Sequence, residues 1–263
     1  GGYLPRADRG GGELMRSLRM EFFKCRRRRL WLPLLIMMAA QLAWGLYSMR
    51  DLSAKELQQG WAIILYNFPM LNAMMTPVIA AVVASRMADI EHKGQTLKLL
   101  ETVQRTGALF DSKFICGAVY MTLFVLVQIA VILCFGMING FHGAPPLDKI
   151  GEYFAATLLT TLTVLLLQLV LSLLIPNQMI GMIIGLIGSF IGLFSLFFPP
   201  SFQKFFVWAY YAVLYNSAMD WDEATRISDY YFTSFDLTGF LCLIAYFILI
   251  YVIGRILFVK KEV

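Results

Sequence analysis

The sequence predicts an all-α integral membrane protein: six transmembrane helices, a basic amphipathic helix in the interface ahead of the first, and a short cytoplasmic helix between the second and third. Three observations predict it. Of 263 residues, 59% are hydrophobic and 15% charged, with mean hydropathy +0.68, whereas an ordinary soluble domain carries about 45–50% apolar and about 25% charged residues. The charges fall in short stretches between long apolar blocks, which leaves no room for a soluble domain. Finally, most basic residues gather on alternate connections.

Residues 1–13, GGYLPRADRGGGE, hold five glycines without periodicity and read as a linker or a cloning remnant, with native sequence expected to start at Met15 or Met20. Residues 14–29 follow as the interfacial helix. Met15, Leu18, Phe22 and Cys25 recur at helical spacing, with Arg16, Arg19 and Lys24 elsewhere on the wheel. The next stretch, EFFKCRRRRLWLPLLIMMAA, sets Arg26 to Arg29 against an apolar run. A cleaved export signal needs an apolar core of about 7–15 residues and a small-residue cleavage site. The run from Leu30 to Ser48 is longer and carries Trp44 and Tyr47 at its far end, which favours a permanent span pinned by arginines at anionic headgroups.

A helix needs about 20 apolar residues to cross the hydrocarbon core. Six segments qualify, at 30–48, 61–85, 114–138, 154–175, 178–198 and 237–258, and together they make one membrane domain over 30–263. They contain no Asp, Glu, Lys or His, and Arg255 sits near the last end. With the N-terminus inside, seventeen Lys and Arg lie on inner segments and five on outer ones, the direction that the positive-inside rule requires. Both termini are then cytoplasmic, and the net charge of +5 reflects topology rather than a nucleic-acid partner.

The inner loop 86–113 contains TLKLLETVQRT. Leu99 and Val103 stand at i, i+4, with Leu97 and Leu100 beside them and Lys98, Glu101 and Arg105 on the other side. Glu101 and Arg105 form a favourable i, i+4 pair. Two readings are open: a surface helix on the inner leaflet, or a coupling helix set into a groove of a cytoplasmic motor.

In layout, residues 15–263 resemble the permease subunits of ABC exporters of the second exporter class. They are most similar to the small six-span permeases of lantibiotic-immunity transporters, the EpiE and MutE type. The sharpest part is Glu91, Thr96, Leu97, Lys98, Leu100, Arg105 and Lys113; where many members carry a proline, this chain reads TVQRT. The resemblance implies that Glu91, Thr96, Leu97, Lys98, Leu100, Glu101, Val103 and Arg105 form the ATPase-coupling segment. It further implies a cytoplasmic ABC ATPase dimer, a second permease subunit of the same or a homologous kind, a lantibiotic or other membrane-active peptide as cargo, and the bacterial cytoplasmic membrane as the location. ATP and Mg would bind the partner ATPase, and this chain would hold no cofactor.

The sequence is consistent with that division of labour. It contains no GxxxxGK[ST] loop to cradle nucleotide phosphates, and its spans lack the buried carboxylates that mark ion-coupled carriers. No catalytic or metal-ligating constellation stands out either. His92 and His142 fall on opposite sides of the membrane, and Cys25, Cys116, Cys134 and Cys242 show no CxxC spacing. The expectation is therefore no enzymatic activity in this chain. A non-transporting anchor or sensor subunit is the alternative.

Within the spans, polar residues nominate a substrate path. In the second span Asn72 and Thr76 share a face between Pro69 and Pro77, and Met70, Met74 and Met75 offer adaptable apolar surface. Gln41, Gln128 and Gln168 sit in three other spans. They fit either interhelical hydrogen bonding or a polar route. Gly181, Gly185, Gly188 and Gly192 give the fifth span small-xxx-small steps for close helix contact. The outer segment 199–236 is expected to be a solvated loop with Trp208, Tyr210, Tyr211, Tyr215, Trp221, Tyr230 and Tyr231 in an aromatic belt. Its acidic side chains and outer-face position also suit the collection of a cationic peptide.

Overall fold

Residues 8–94, 106–223 and 227–262 are described in the computed structural model. The coupling-segment residues Thr96, Leu97, Lys98, Leu100, Glu101, Val103 and Arg105 lie outside them; Glu91 is described in its backbone alone, as part of the second long helix. Among the described residues, five helices are long and apolar enough to cross a membrane, and a bent pair at the N-terminus makes up to six.

That pair is α1 (Asp8–Arg27) and α2 (Trp31–Tyr47), bent by 68°. The bend has a local cause. Arg29 adopts φ 51°; Leu30 N donates to Cys25 O at 3.0 Å and Arg29 N to Arg26 O at 3.1 Å, which is the paired-bond helix stop that normally uses glycine. Leu30 and Cys25 are buried together beneath it. Helix α1 is already helical at Asp8, ahead of the expected start at residue 14. At 17 residues, α2 is about 25 Å long.

Past α3 (Ala54–Gln58), which Ser53 and Glu56 start with a reciprocal capping box, come the long helices α4 (Gly60–Gly94) and α5 (Thr106–Ile138). Both overrun the expected spans 61–85 and 114–138. Met87 and Ala88 extend the buried face of α4, and Leu109 and Phe110 that of α5, so packing carries both helices into the stretch expected to be loop. Helix α6 (Leu147–Leu174) likewise starts before 154, because Ile150 and Tyr153 are core residues. Helix α7 (Gln178–Phe194) continues through a 3₁₀ turn at Ser195–Phe197.

Helices α4 and α6 form the centre, with 72% and 67% of their most apolar windows buried, against 33% for α5 and α7. The last helix, α10 (Leu237–Glu262), buries 17% of its window. The exposed Leu, Ile and Val of the peripheral helices suit lipid contact.

Helix α4 keeps helical form through Pro69 and Pro77. Each proline leaves a carbonyl four residues back without its helix donor, and α7 meets one of these openings. A Cβ on Gly192 would lie 2.9 Å from Ala73 O, and one on Gly185 would lie 2.5 Å from Ala81 Cβ and 3.1 Å from Pro77 O. Gly185 and Gly192 of α7 thus form a seam against α4 of the same chain, while Gly188 faces Trp208 and Gly181 faces Ser172 of α6.

Residues 195–236 are not a plain loop. Short helices α8 (Pro200–Gln203) and α9 (Tyr210–Val213) lead to strands β1 (Ser217–Asp222) and β2 (Ile227–Phe232), paired antiparallel from Ser217↔Phe232 to Asp222↔Ile227. Tyr210 and Tyr211 are buried in the bundle instead of joining a belt, and Tyr211 OH lies 3.0 Å from Thr161 Oγ1; Trp221 and Tyr231 are exposed. The hairpin is clasped to the helices. Ser217 Oγ donates to Ala62 O at 2.7 Å, Tyr230 N to Gln59 Oε1 at 3.0 Å, and Gln59 Nε2 to Asp229 Oδ1 at 3.3 Å.

The bundle therefore has two ends. One carries the hairpin, α3 and the start of α4. The other carries α1, the start of α5 and the end of α10, where Arg255 Nε pairs with Asp111 Oδ1 at 3.1 Å.

Candidate functional site

Three features of the bundle carry chemistry or an opening. The first is a polar node at the middle of α4. Asn72 Oδ1 accepts from Gln41 Nε2 at 2.7 Å, Gln128 Nε2 at 2.9 Å and Thr76 Oγ1 at 3.5 Å. Asn72 Nδ2 donates to Tyr153 OH at 2.9 Å and Gln128 Oε1 at 3.2 Å, and Tyr153 OH donates to Gln128 Oε1 at 2.7 Å. The node joins α2, α4, α5 and α6. All five side chains are at most 3% exposed, and Gln41 Oε1 has no partner among the described residues. In this structure the four predicted residues Gln41, Asn72, Thr76 and Gln128 come together and face one another, not an opening. Gln168 stands apart, buried on α6 against α7, where its amide group lies within hydrogen-bond reach of the backbone of Gly181 and Gly185.

The second feature is an apolar groove of about 530 Å³ between α2, α4 and α7. Met74, the remaining predicted path residue, lies on it and is 38% exposed. Ile36, Met37, Met75, Val78 and Phe190 line the rest, with Ser189 beside them. Asn72 and Met74 are two residues apart on one helix, so the two side chains leave α4 in different directions.

The third feature is a buried ladder that binds α1 to α5. Ser17 Oγ lies 2.7 Å from Ser112 Oγ, and Lys113 Nζ donates to Glu21 Oε2 at 2.9 Å. Cys116 Sγ donates to Cys25 Sγ at 3.6 Å. Lys24 Nζ holds the other Glu21 oxygen at 2.9 Å, and Lys113 Nζ also reaches Met87 O of α4 at 3.4 Å. Glu21 and Lys113 are 1% and 0% exposed; a buried charge is tolerated only when paired and hydrogen-bonded. The expected lipid face of α1 is therefore corrected. Cys25 is buried, and Leu18 and Phe22 pack on the core, while Met15 is exposed and Arg16, Arg19, Met20 and Phe23 form the outward side.

Two of these partnerships escaped the sequence. Tyr153 falls one residue outside the expected span, and a lone tyrosine carries no period. The Glu21–Lys113 pair had a signal: Ser17, Glu21 and Cys25 follow one another at i, i+4 and i+8, a polar stripe that a helix lying wholly in lipid would not need.

The model of the ABC-2 family transporter protein matches residues 17–192, two thirds of the chain. No curated protein and no solved structure matches it. The matched stretch runs from the buried ladder through the node to the glycine seam, and its described residues form membrane-length apolar helices. The chain belongs to the ABC-2 family of transporter proteins, as the membrane-embedded permease subunit of an ABC transporter whose nucleotide-binding partner is an ABC ATPase.

Proposed function

We propose that this permease belongs to an exporter that expels a lantibiotic or similar membrane-active peptide and so protects the cell that carries it. The observation that carries the reading is the apolar groove between α2, α4 and α7, bordered by Met74, Met75 and Phe190. Methionine and aromatic side chains form adaptable apolar surface, which suits an amphipathic cargo drawn from the bilayer. Two permeases face each other across this groove, either identical or homologous.

The end of the bundle that holds α1 and the C-terminus faces the bacterial cytoplasm, a reading that the seventeen-to-five distribution of basic residues supports. Glu91, Thr96, Leu97, Lys98, Leu100, Glu101, Val103 and Arg105 dock on the ATPase dimer, where ATP and Mg²⁺ bind. The test is survival of a sensitive host producing the permease with its ATPase, challenged with a panel of lantibiotics. Protection should appear with both subunits and fall with Met74→Trp, which fills the groove, at unchanged complex yield. Survival indifferent to the transporter would remove the cargo reading. Leu100→Glu with Val103→Glu should abolish co-purification of the ATPase; retained co-purification would remove the docking reading.

A further inference from the structure

Beyond those three features, a smaller cavity of about 120 Å³ lies where the hairpin meets the bundle. Tyr66 and Met70 of α4, Leu193 of α7, and Tyr215, Ala218 and Met219 at the start of the hairpin line it. Among the described lining residues, the phenol hydroxyls of Tyr66 and Tyr215 are the only side-chain O–H or N–H groups, and there is no lysine, arginine or histidine. Tyr66 packs edge-on against Tyr230, with 5.5 Å between ring centroids. Gly192 and Ala73 also border the cavity. A Cβ at Gly192 would lie 2.9 Å from Ala73 O and 3.0 Å from Trp208 O, so two carbonyl oxygens come together at a residue without a side chain. Pro77 leaves the first of them without its helix donor. One residue beyond Met219, Asp220 stands directly opposite Asp229 across the hairpin, a like-charge arrangement that costs free energy; Lys55 pairs with Asp229.

These groups share a sign. Tyrosine faces attract cations, phenol and carbonyl oxygens accept from N–H donors, and the hairpin carboxylates add negative potential. An anion would be repelled here, and a purely apolar group would leave the oxygens unmatched. We infer that the cavity is a binding site for a primary ammonium group on an alkyl stem, of which a peptide's lysine side chain is the natural example. The ammonium donates to the phenol oxygens of Tyr66 and Tyr215, and the stem lies along Met70 and Leu193. A phosphate close to the nitrogen, as in an ethanolamine headgroup, would be carried into the field of the hairpin carboxylates. The volume admits the end of one side chain and no folded peptide.

The site is tested on the permease alone. Full-length protein in deuterated detergent is titrated with n-butylammonium chloride and followed by saturation-transfer NMR, with n-butanol, butyrate and phosphoethanolamine as comparison probes. Butylammonium should bind more tightly than all three. A hydrogen bond to a charged group is worth about tenfold in affinity or more, so Tyr66→Phe and Tyr215→Phe, which keep the rings, should each weaken butylammonium about tenfold. Tyr231→Phe, on the hairpin but outside the cavity lining, should leave it unchanged. Met219 is 38% exposed, which makes it a mild place to substitute: Met219→Lys sets a tethered ammonium at the cavity and should abolish binding, whereas Met219→Leu should retain it. Equal binding of butanol would reduce the cavity to an apolar hole, and equal binding of phosphoethanolamine would make it a headgroup site. Either result, or full-strength binding in both phenylalanine variants, overturns the inference. Its failure is distinct from that of the cargo reading: butylammonium binding without protection from lantibiotics removes only the cargo, and protection without butylammonium binding removes only this site.

Discussion

Arg29 holds a left-handed backbone conformation, φ 51°, that costs an L-residue about 1–2 kcal/mol and glycine almost nothing. Arg29→Gly should therefore raise the thermal unfolding midpoint in detergent, with a gain of about 1 kcal/mol. Arg29→Ala removes the same charge but keeps the strain and should show no gain, which separates conformation from electrostatics. The node offers a second contrast. Asn72 serves Gln41, Gln128 and Tyr153 at once, so Asn72→Leu strands several buried groups, each worth about 1–3 kcal/mol. Gln41 makes a single bond and its Oε1 has no partner among the described residues; Gln41→Leu should cost about 0.6 kcal/mol. Equal losses in denaturant titrations would mean that Asn72 is not the centre of the network. Asn72 and Thr76 were legible as one helix face, and Gln41 and Gln128 as polar residues at depth. That they converge was not legible, because convergence depends on how four helices are rotated about their axes.

At the scale of elements, the α4–α7 seam depends on backbone approach. Gly185→Ala drives a methyl into Ala81 Cβ at 2.5 Å, and Gly192→Ala puts one 2.9 Å from Ala73 O. Neither neighbour can rotate away, so each substitution should destabilise by about 1–3 kcal/mol. Gly181→Ala meets a serine side chain at 3.2 Å and gains helix propensity of about 1 kcal/mol, so it should be neutral or stabilising in the same assay. The hairpin clasp answers to pH. Asp229 is held below the ordinary carboxylate range by its hydrogen bonds from Lys55 and then Gln59, and Glu56 by Ser53. A depressed folded value means that the stabilisation is present above the unfolded value and is lost as pH falls through the folded one. Amide exchange across Ser228–Tyr231 should accelerate on acidification below the usual carboxylate range, and Asp229→Asn should flatten that response. Segments free of charge made the spans legible, whereas their ends were not: Met87, Ala88, Leu109 and Phe110 extend helices by tertiary burial that periodicity does not report. The hairpin escaped because SAMDWD is short and its Met219 and Trp221 read equally well as interfacial anchors in a loop; its place comes from Gln59, Asn216 and Ser217.

For the whole molecule, the question is whether the N-terminal helix lies loose in the interface or is part of the bundle. The sequence favours the first reading, since Met15, Leu18, Phe22 and Cys25 suggest a lipid-facing stripe. The structure gives the second, because Lys113 enters the core at the start of α5 and needs a carboxylate, which α1 provides at Glu21. Removing one partner of a buried pair is strongly destabilising, at about 3–5 kcal/mol, while replacing both by apolar residues of similar volume is often neutral. One turn further along the ladder, Cys25 Sγ and Cys116 Sγ stand 3.6 Å apart, about 1.5 Å beyond a disulfide bond. Copper phenanthroline in air should therefore join these two cysteines within one chain, read as a disulfide-linked peptide pair after proteolysis. Lys113→Met alone should slow that cross-link by freeing α1, and the paired change Glu21→Leu with Lys113→Met should restore it. A helix lying free on the bilayer would give no such link in the unmodified protein, and its absence would detach α1 from the start of α5.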